Sequence, residues 1–83
     1  MASYELQFRK SVAKDLRALP NQDVKRILQR IRALANDPRP AGFEKLSSQE
    51  RYRVRQGSYR IVYEVKDSHL IVLVVRVGHR KAV

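Results

Sequence analysis

Residues 51–63 read RYRVRQGSYRIVY and predict a β-hairpin. Side chains alternate between the two faces of a strand, so Arg51, Arg53 and Arg55 are expected on one face. Gly57-Ser58 suits a two-residue type II′ turn, which requires glycine at its first central position. That turn sets Arg55 opposite Arg60, and like charges paired in this way destabilise a sheet by about 0.2–1 kcal/mol. Since the fold gains no stability from this pairing, we expect the arginine face to bind an anionic partner.

The composition of the chain indicates which classes of protein it can belong to and which kinds of partner it can bind. Its 83 residues fit a single domain over residues 1–83, and 18 Lys and Arg against 8 Asp and Glu give a formal net charge of +10. Such an excess indicates a polyanion or an acidic protein as the partner. The chain contains no cysteine, which excludes disulfides and thiolate metal sites, and we expect no metal or cofactor. Without a secretory signal or a long apolar run, we expect a cytoplasmic protein that does not act at a membrane.

The periodicity of apolar residues predicts an α+β fold. Residues 3–8 alternate as a strand does, and two stretches of helical spacing follow on either side of Pro20. Residues 37–49 are predicted to be a loop, followed by strands over 51–56, 59–66 and 69–77. We therefore expect the order β-α-α-β-β-β: an N-terminal strand, a helical hairpin on one face of the sheet, and a three-stranded antiparallel meander.

The last strand is expected to be central because residues 70–75, LIVLVV, are apolar on both faces. The helices can cover only one of these faces. The other combines aliphatic side chains with the arginines of the hairpin, and an apolar floor beside a basic rim is typical of a binding groove.

Three motifs occur in order along the chain: Leu19-Pro20 with residues 35–39 (ANDPR), residues 52–63 (YRVRQGSYRIVY), and residues 77–80 (VGHR). Together they resemble the RelE branch of the RelE/ParE toxin superfamily over almost the whole chain. The resemblance implies the toxin of a type II toxin–antitoxin system, a bacterial or archaeal endoribonuclease that cuts mRNA in the ribosomal A site and so inhibits translation. The implied partners are mRNA, the 30S A site with its 16S rRNA, and a cognate antitoxin with an acidic segment, which would form a hetero-oligomer with the toxin.

Metal-free RNA cleavage has chemical requirements that the sequence can meet. The 2′-hydroxyl attacks the adjacent phosphorus, so a base must accept its proton, an acid must protonate the leaving 5′-oxygen, and cations must stabilise the phosphorane. A cluster of arginines suits the last task because guanidinium groups donate paired hydrogen bonds to phosphate.

The resemblance also implies roles for individual residues. Arg60 matches the phosphate-stabilising arginine of the family, and Arg80 matches the basic residue that protonates the leaving group. Arg53 and Arg55 stand where well-known members carry lysines, which serve there as base or charge stabilisers. Because arginine stays protonated, it is a poor general base.

That departure directs attention to His79, a residue type that titrates near neutrality, as acid or base. Glu44 and Lys45 are alternatives for this step. Further RNA contacts are expected from Arg51, Lys45 and Lys81. Family members commonly carry a tyrosine a few residues beyond the position of Arg80, and this sequence, which ends at Val83, has none there.

Other functions stay open at this point. A ParE-like inhibitor of DNA gyrase would share the fold and cut no RNA, a plain nucleic-acid-binding module would bind without cutting, and a nuclease of free RNA would need no ribosome. The arginine face with His79 and Arg80 favours the ribosome-dependent nuclease, because a binder has no evident need for convergent, phosphate-sized charge.

Overall fold

A computed structural model describes residues 3–46 and 50–79 of the chain. In chain order, this part forms β1 (Glu5–Phe8), α1 (Lys10–Arg17), α2 (Asn21–Asn36), β2 (Glu44–Leu46), β3 (Arg51–Gln56), β4 (Tyr59–Lys66) and β5 (Ile71–His79). The strands lie in one sheet in the order β1-β5-β4-β3-β2, in which β1 is parallel to β5 and the other neighbours are antiparallel. The predicted α+β class, with its N-terminal strand and its antiparallel meander, is confirmed.

The helices pack on one face of the sheet, as the sequence predicts. Ile27, Ile31 and Leu34 recur at helical spacing on α2, and their side chains are fully buried. The sheet contributes mainly β-branched side chains to this core, which fit a pleated, covered surface. The buried core residues of the strands are Tyr52, Val54, Ile61, Tyr63, Val65, Val72, Val74 and Val77. The helix face of the sheet is therefore the hydrophobic core, and the opposite face is left for polar and charged side chains.

The β3–β4 hairpin has the predicted register. Arg55 pairs with Arg60 and Gln56 pairs with Tyr59, so Gly57 and Ser58 form the two-residue turn. Gly57 has a φ of +61°, whereas Ser58 has no positive φ, which matches a type II′ turn. A Cβ atom at Gly57 would meet no neighbour, so its backbone conformation rather than space calls for glycine.

The structure corrects three boundaries. The first strand runs over Glu5–Phe8 rather than over residues 3–8. Residues 44–46, predicted to lie in a loop over 37–49, form β2, which pairs with β3 and sets Glu44 opposite Arg53. A strand of three residues is too short for alternation to reveal it. The last strand runs over Ile71–His79 rather than 69–77, because a single 3₁₀ turn at Asp67–His69 and the left-handed Leu70 (φ +53°) precede it.

A β-bulge interrupts β5 at Val75. Val62 pairs with Arg76 and Tyr63 pairs with Val74, so Val75 is an extra residue between two aligned pairs. The alternation of side chains changes phase at this point. Arg76 consequently lies on the same face of the sheet as Val62, away from the helices.

A polar network ties the connection after α2 to the turn after β4. Two Nη atoms of Arg39 lie 3.2 and 2.8 Å from the two carboxylate oxygens of Asp67, and the Tyr4 hydroxyl donates to the same carboxylate at 2.7 Å. The hydrogen bonds from Arg39, and to a smaller extent the one from Tyr4, lower the pKa of Asp67 to about 2. The carboxylate thus joins two segments far apart in sequence.

This network predicts a stability change in acid. A carboxyl group with a depressed folded pKa stabilises the protein above its ordinary pKa, and that contribution is lost as the pH falls through the folded value. The wild-type protein should therefore lose stability between pH 3.8 and pH 2 more steeply than Asp67→Asn. Urea unfolding across this range tests the difference, with the exposed-carboxylate variant Glu5→Gln as control. Parallel profiles for wild type and Asp67→Asn would contradict the role given to Asp67.

Candidate nucleic-acid interface

The open face of the sheet, opposite the helices, carries the arginines of β3 and β4. Arg53 pairs with Val62 and Arg55 pairs with Arg60, so these side chains share one face. Tyr52 and Tyr63 lie on the helix face, where they are 4% and 0% exposed. The prediction from strand parity, with arginines on one side and tyrosines in the core, is confirmed.

Glu44 of β2 lies among these arginines. Its carboxylate accepts hydrogen bonds from Nε and Nη2 of Arg53 at 3.3 and 3.0 Å, and Nε of Arg55 is 3.9 Å from Oε1. The hydrogen bonds from Arg53, aided by the charges of Arg53, Arg55 and Arg60, hold the pKa of Glu44 below its usual value. Two guanidinium groups therefore contact one anion, and Arg60 lies opposite Arg55 on the same face, an arrangement that also suits a phosphate.

Glu64 of β4 forms a second centre of this kind. Its Oε2 accepts a hydrogen bond from Nε of Arg51 at 2.9 Å, and Nη2 of Arg9 is 3.7 Å away. The open face thus carries two carboxylates, each held between two arginines. The sequence indicated Glu44 only as a candidate acid or base, and nothing in it pointed to Glu64.

His79 lies on the helix side of the sheet. It pairs with Tyr59, and the two rings contact edge to face with their centroids 6.0 Å apart. The Tyr59 hydroxyl donates to Asp23 of α2 at 2.9 Å, a bond that raises the pKa of Tyr59 and fixes the pair on this side. The structure does not bring His79 together with the arginine cluster.

The other predicted site residues divide between the two faces. Arg51 lies on the open face of the sheet. Lys45 pairs with Tyr52 and so lies on the other face, the one toward the helices. Arg80 and Lys81 fall outside the described residues. Arg9 and Arg76, which sequence analysis did not single out, join the open face. Arg76 could have been noticed as the one charged residue within the last strand.

Within residues 3–46 and 50–79, no three His, Cys, Asp or Glu side chains form a group that could hold a metal ion. The same residues contain no helix that is both long and apolar enough to cross a membrane.

Comparison with known proteins gives a consistent result. Residues 6–83 match the family model of the ParE toxin of the type II toxin–antitoxin system parDE. The chain is 30% identical over 82 residues to the candidate toxin RelE1 of Methanocaldococcus jannaschii, a match that covers 94% of this chain and 91% of that protein.

Solved structures of RelE proteins share the fold. The archaeal RelE–RelB complex from Pyrococcus horikoshii OT3 matches with a TM-score of 0.85 and 26% identity, over 98% of this chain and 99% of that chain. The RelB–RelE complex from Methanococcus jannaschii gives 0.74 and 31%, over 92% of each chain. A double arginine-to-alanine variant of E. coli RelE in the free state gives 0.81 and 28%, over 96% of this chain and 86% of that chain.

The Glu44 cluster predicts how the open face responds to a free anion. Glu44 competes with any added anion for Arg53 and Arg55, so Glu44→Gln should bind pyrophosphate several-fold more tightly than wild type. Arg60→Ala should bind it more weakly, because a cationic partner is lost. Isothermal titration at constant low salt measures both changes, with the exposed-residue variant Glu5→Gln as the charge-matched control for Glu44→Gln. Equal affinities for Glu44→Gln and Glu5→Gln would contradict the competition.

Proposed function

Because this chain belongs to the ParE toxin family of type II toxin–antitoxin systems, within the RelE/ParE superfamily, we propose that it is a ribosome-dependent mRNA endonuclease. It cuts mRNA in the ribosomal A site without a metal ion and thereby inhibits translation. The similarity to RelE structures supports the RelE-like activity over other activities of the superfamily.

The convergence of Arg53 and Arg55 on Glu44, with Arg60 opposite Arg55 on the same face, carries this proposal. The Glu44 carboxylate lies 3.0 Å from Arg53 and 3.9 Å from Arg55. A phosphodiester that displaces this carboxylate meets the same donors, and its charge rises in the phosphorane transition state. Fixed cations that face a growing negative charge are the main electrostatic means of lowering such a barrier.

The reaction forms one bond and breaks one. The 2′-oxygen bonds to phosphorus, the bond from phosphorus to the 5′-oxygen breaks, and the products are a 2′,3′-cyclic phosphate and a 5′-hydroxyl. Arg60, with Arg53 and Arg55, stabilises the phosphorane. Arg80 protonates the leaving 5′-oxygen, the role implied by its place in the family motif.

The proton of the 2′-hydroxyl needs an acceptor on the open face. Arginine cannot serve because it stays protonated, and we assign this role to Glu44, whose carboxylate lies on the open face beside Arg53 and Arg55. His79 is the alternative acceptor. Its contact with Tyr59 on the helix side argues against it, because the ring would have to pass around the end of the sheet to meet the phosphate.

An antitoxin partner fits the charge of the open face. The similar structures from Pyrococcus horikoshii and Methanococcus jannaschii are complexes of RelE with RelB. For this chain we propose an antitoxin with an acidic segment that covers the arginine face and so excludes RNA. Segments of that kind are often disordered until they bind.

A gyrase inhibitor is the second candidate function, because the matching family model is that of ParE. Such an inhibitor would bind gyrase and cut no RNA. The arginine–carboxylate pairs of the open face would then stay intact and bind no phosphate. Cleavage assays and gyrase supercoiling assays separate the two functions directly.

Replacing Arg60 provides the main test. Arg60→Ala should reduce A-site cleavage of a defined mRNA in a reconstituted bacterial translation system by about 100-fold or more, since loss of one transition-state donor costs about 10²–10³ in rate. Primer extension maps the cuts, and Arg32→Ala, on the exposed side of α2, is the matched control. Undiminished cutting by Arg60→Ala would contradict the proposal, and blocked gyrase supercoiling without any cutting would establish the ParE-like function instead.

The proton acceptor can be identified from the dependence of cleavage on pH. With Glu44 as acceptor, single-turnover cleavage on stalled ribosomes should stay level from about pH 8 to pH 6, because the carboxylate remains ionised throughout. Glu44→Gln should then lose cleavage while His79→Phe, which keeps a ring against Tyr59, retains it. A rate that falls toward pH 6, together with an inactive His79→Phe, would assign the step to His79.

A further inference from the structure

A second pocket on the open face lies beside Glu64, around Val62 and Val75, and has a volume of about 360 Å³. Val62 and Val75 are 7% and 9% exposed and form an aliphatic floor. Arg9, Arg51 and Arg76 line it as well, and Arg76 is brought there by the bulge at Val75. The pocket therefore combines an apolar floor with a rim of three guanidinium groups.

The charges at this pocket repeat the pattern of the Glu44 cluster. Glu64 is held by Arg51 at 2.9 Å and by Arg9 at 3.7 Å, as Glu44 is held by Arg53 at 3.0 Å and by Arg55 at 3.9 Å. Three arginines against one carboxylate leave a net positive charge at the rim. A phosphate group offers more acceptor oxygens than the Glu64 carboxylate does, so it can bind more of these guanidinium groups at once.

The two centres lie close enough together for one strand of RNA to reach both. Glu44 lies opposite Arg53 on β2, and Glu64 lies opposite Arg51 on β4, so the two residues are two positions apart along the strands and two strands apart across the sheet. These steps of about 7 Å and about 10 Å give a separation of about 12 Å. A single strand of RNA with several phosphates can therefore meet both centres, whereas one phosphate cannot.

We propose that this pocket is a nucleotide subsite next to the cleavage site. The phosphate of a nearby nucleotide of the same strand takes the place of the Glu64 carboxylate between Arg51 and Arg9, with Arg76 at the rim of the pocket, and its base or ribose packs on Val62 and Val75. The proposal rests on the endonuclease function and adds Arg9 and Arg76 to the RNA-binding residues. Both residues position the substrate and take no part in proton transfer.

Binding of uncleavable RNA tests the subsite without any cleavage step. Fluorescence anisotropy is measured with a 2′-O-methyl dinucleotide, which has one internal phosphate, and with a 2′-O-methyl hexanucleotide. The proteins are wild type, Arg9→Ala/Arg76→Ala, and the control Arg17→Ala/Arg32→Ala, which removes the same charge from exposed positions on the helices. Thermal unfolding of each variant confirms that it is folded.

The subsite predicts a loss that depends on the length of the RNA. The pocket variant should bind the hexanucleotide roughly tenfold more weakly than the control variant does, with a salt slope reduced by about 1, as expected for one lost phosphate contact. Its affinity for the dinucleotide should equal that of the control. An equal loss of hexanucleotide affinity in both variants, or an equally large loss with the dinucleotide, would overturn the subsite.

The two proposals fail in different ways. If wild type cuts mRNA in an Arg60-dependent manner while the pocket variant binds the hexanucleotide as the control does, the subsite is wrong and the endonuclease function stands. If wild type cuts no mRNA, the function is wrong, and a substrate subsite is overturned with it.

Discussion

The ion pair between Glu44 and Arg53 is the interaction on which the open face depends. The hairpin sets Arg55 against Arg60, a pairing that destabilises a sheet unless something offsets the repulsion. The three-residue strand β2 supplies the offset, because its pairing with β3 places a carboxylate directly opposite Arg53. Arg53 and Arg55 are therefore held in position by a carboxylate of the chain itself. In the proposed function a phosphate displaces Glu44, so the free energy of phosphate binding is reduced by the free energy of the ion pairs that it replaces.

The two faces of the sheet differ in what they carry. One face is buried under the helices, and the other carries the arginine–carboxylate pairs. On the helix face, fully buried β-branched residues such as Val54 and Ile61 fix the strands from below. Functional side chains on regular strands keep their geometry better than side chains on loops do. The Arg39–Asp67 network joins the segment after α2 to the turn after β4, and it adds no side chain to the open face. The arginines of the open face thus project from regular strands that are backed by a packed core.

The hairpin could be predicted from sequence because its signals are local. Gly57 fixes the turn, the turn fixes the register, and the register fixes the faces of Arg55 and Arg60. The strand β2 could not be predicted, since Glu44-Lys45-Leu46 is too short for a period and is held by pairing with β3 rather than by propensity. The bulge at Val75 was hidden for another reason: a uniformly aliphatic run carries no sign of a change of phase.

That hidden bulge has the larger consequence for function. Strict alternation from Val72 and Val74 would put Arg76 on the helix face and His79 with the arginines. One extra residue reverses both placements. A histidine that the motif and its chemistry favour as acid or base therefore packs against Tyr59, and an arginine without a family role joins the groove.

The decisive experiment is a structure of the protein bound to a short RNA with a 2′-O-methyl group at the cleavage position. We expect a phosphate between Arg53, Arg55 and Arg60, with the Glu44 carboxylate turned away from Arg53 toward the blocked 2′-oxygen. An RNA bound on the helix side beside Tyr59 and His79, with the Glu44–Arg53 pair intact, would show that the open face is not the cleavage site.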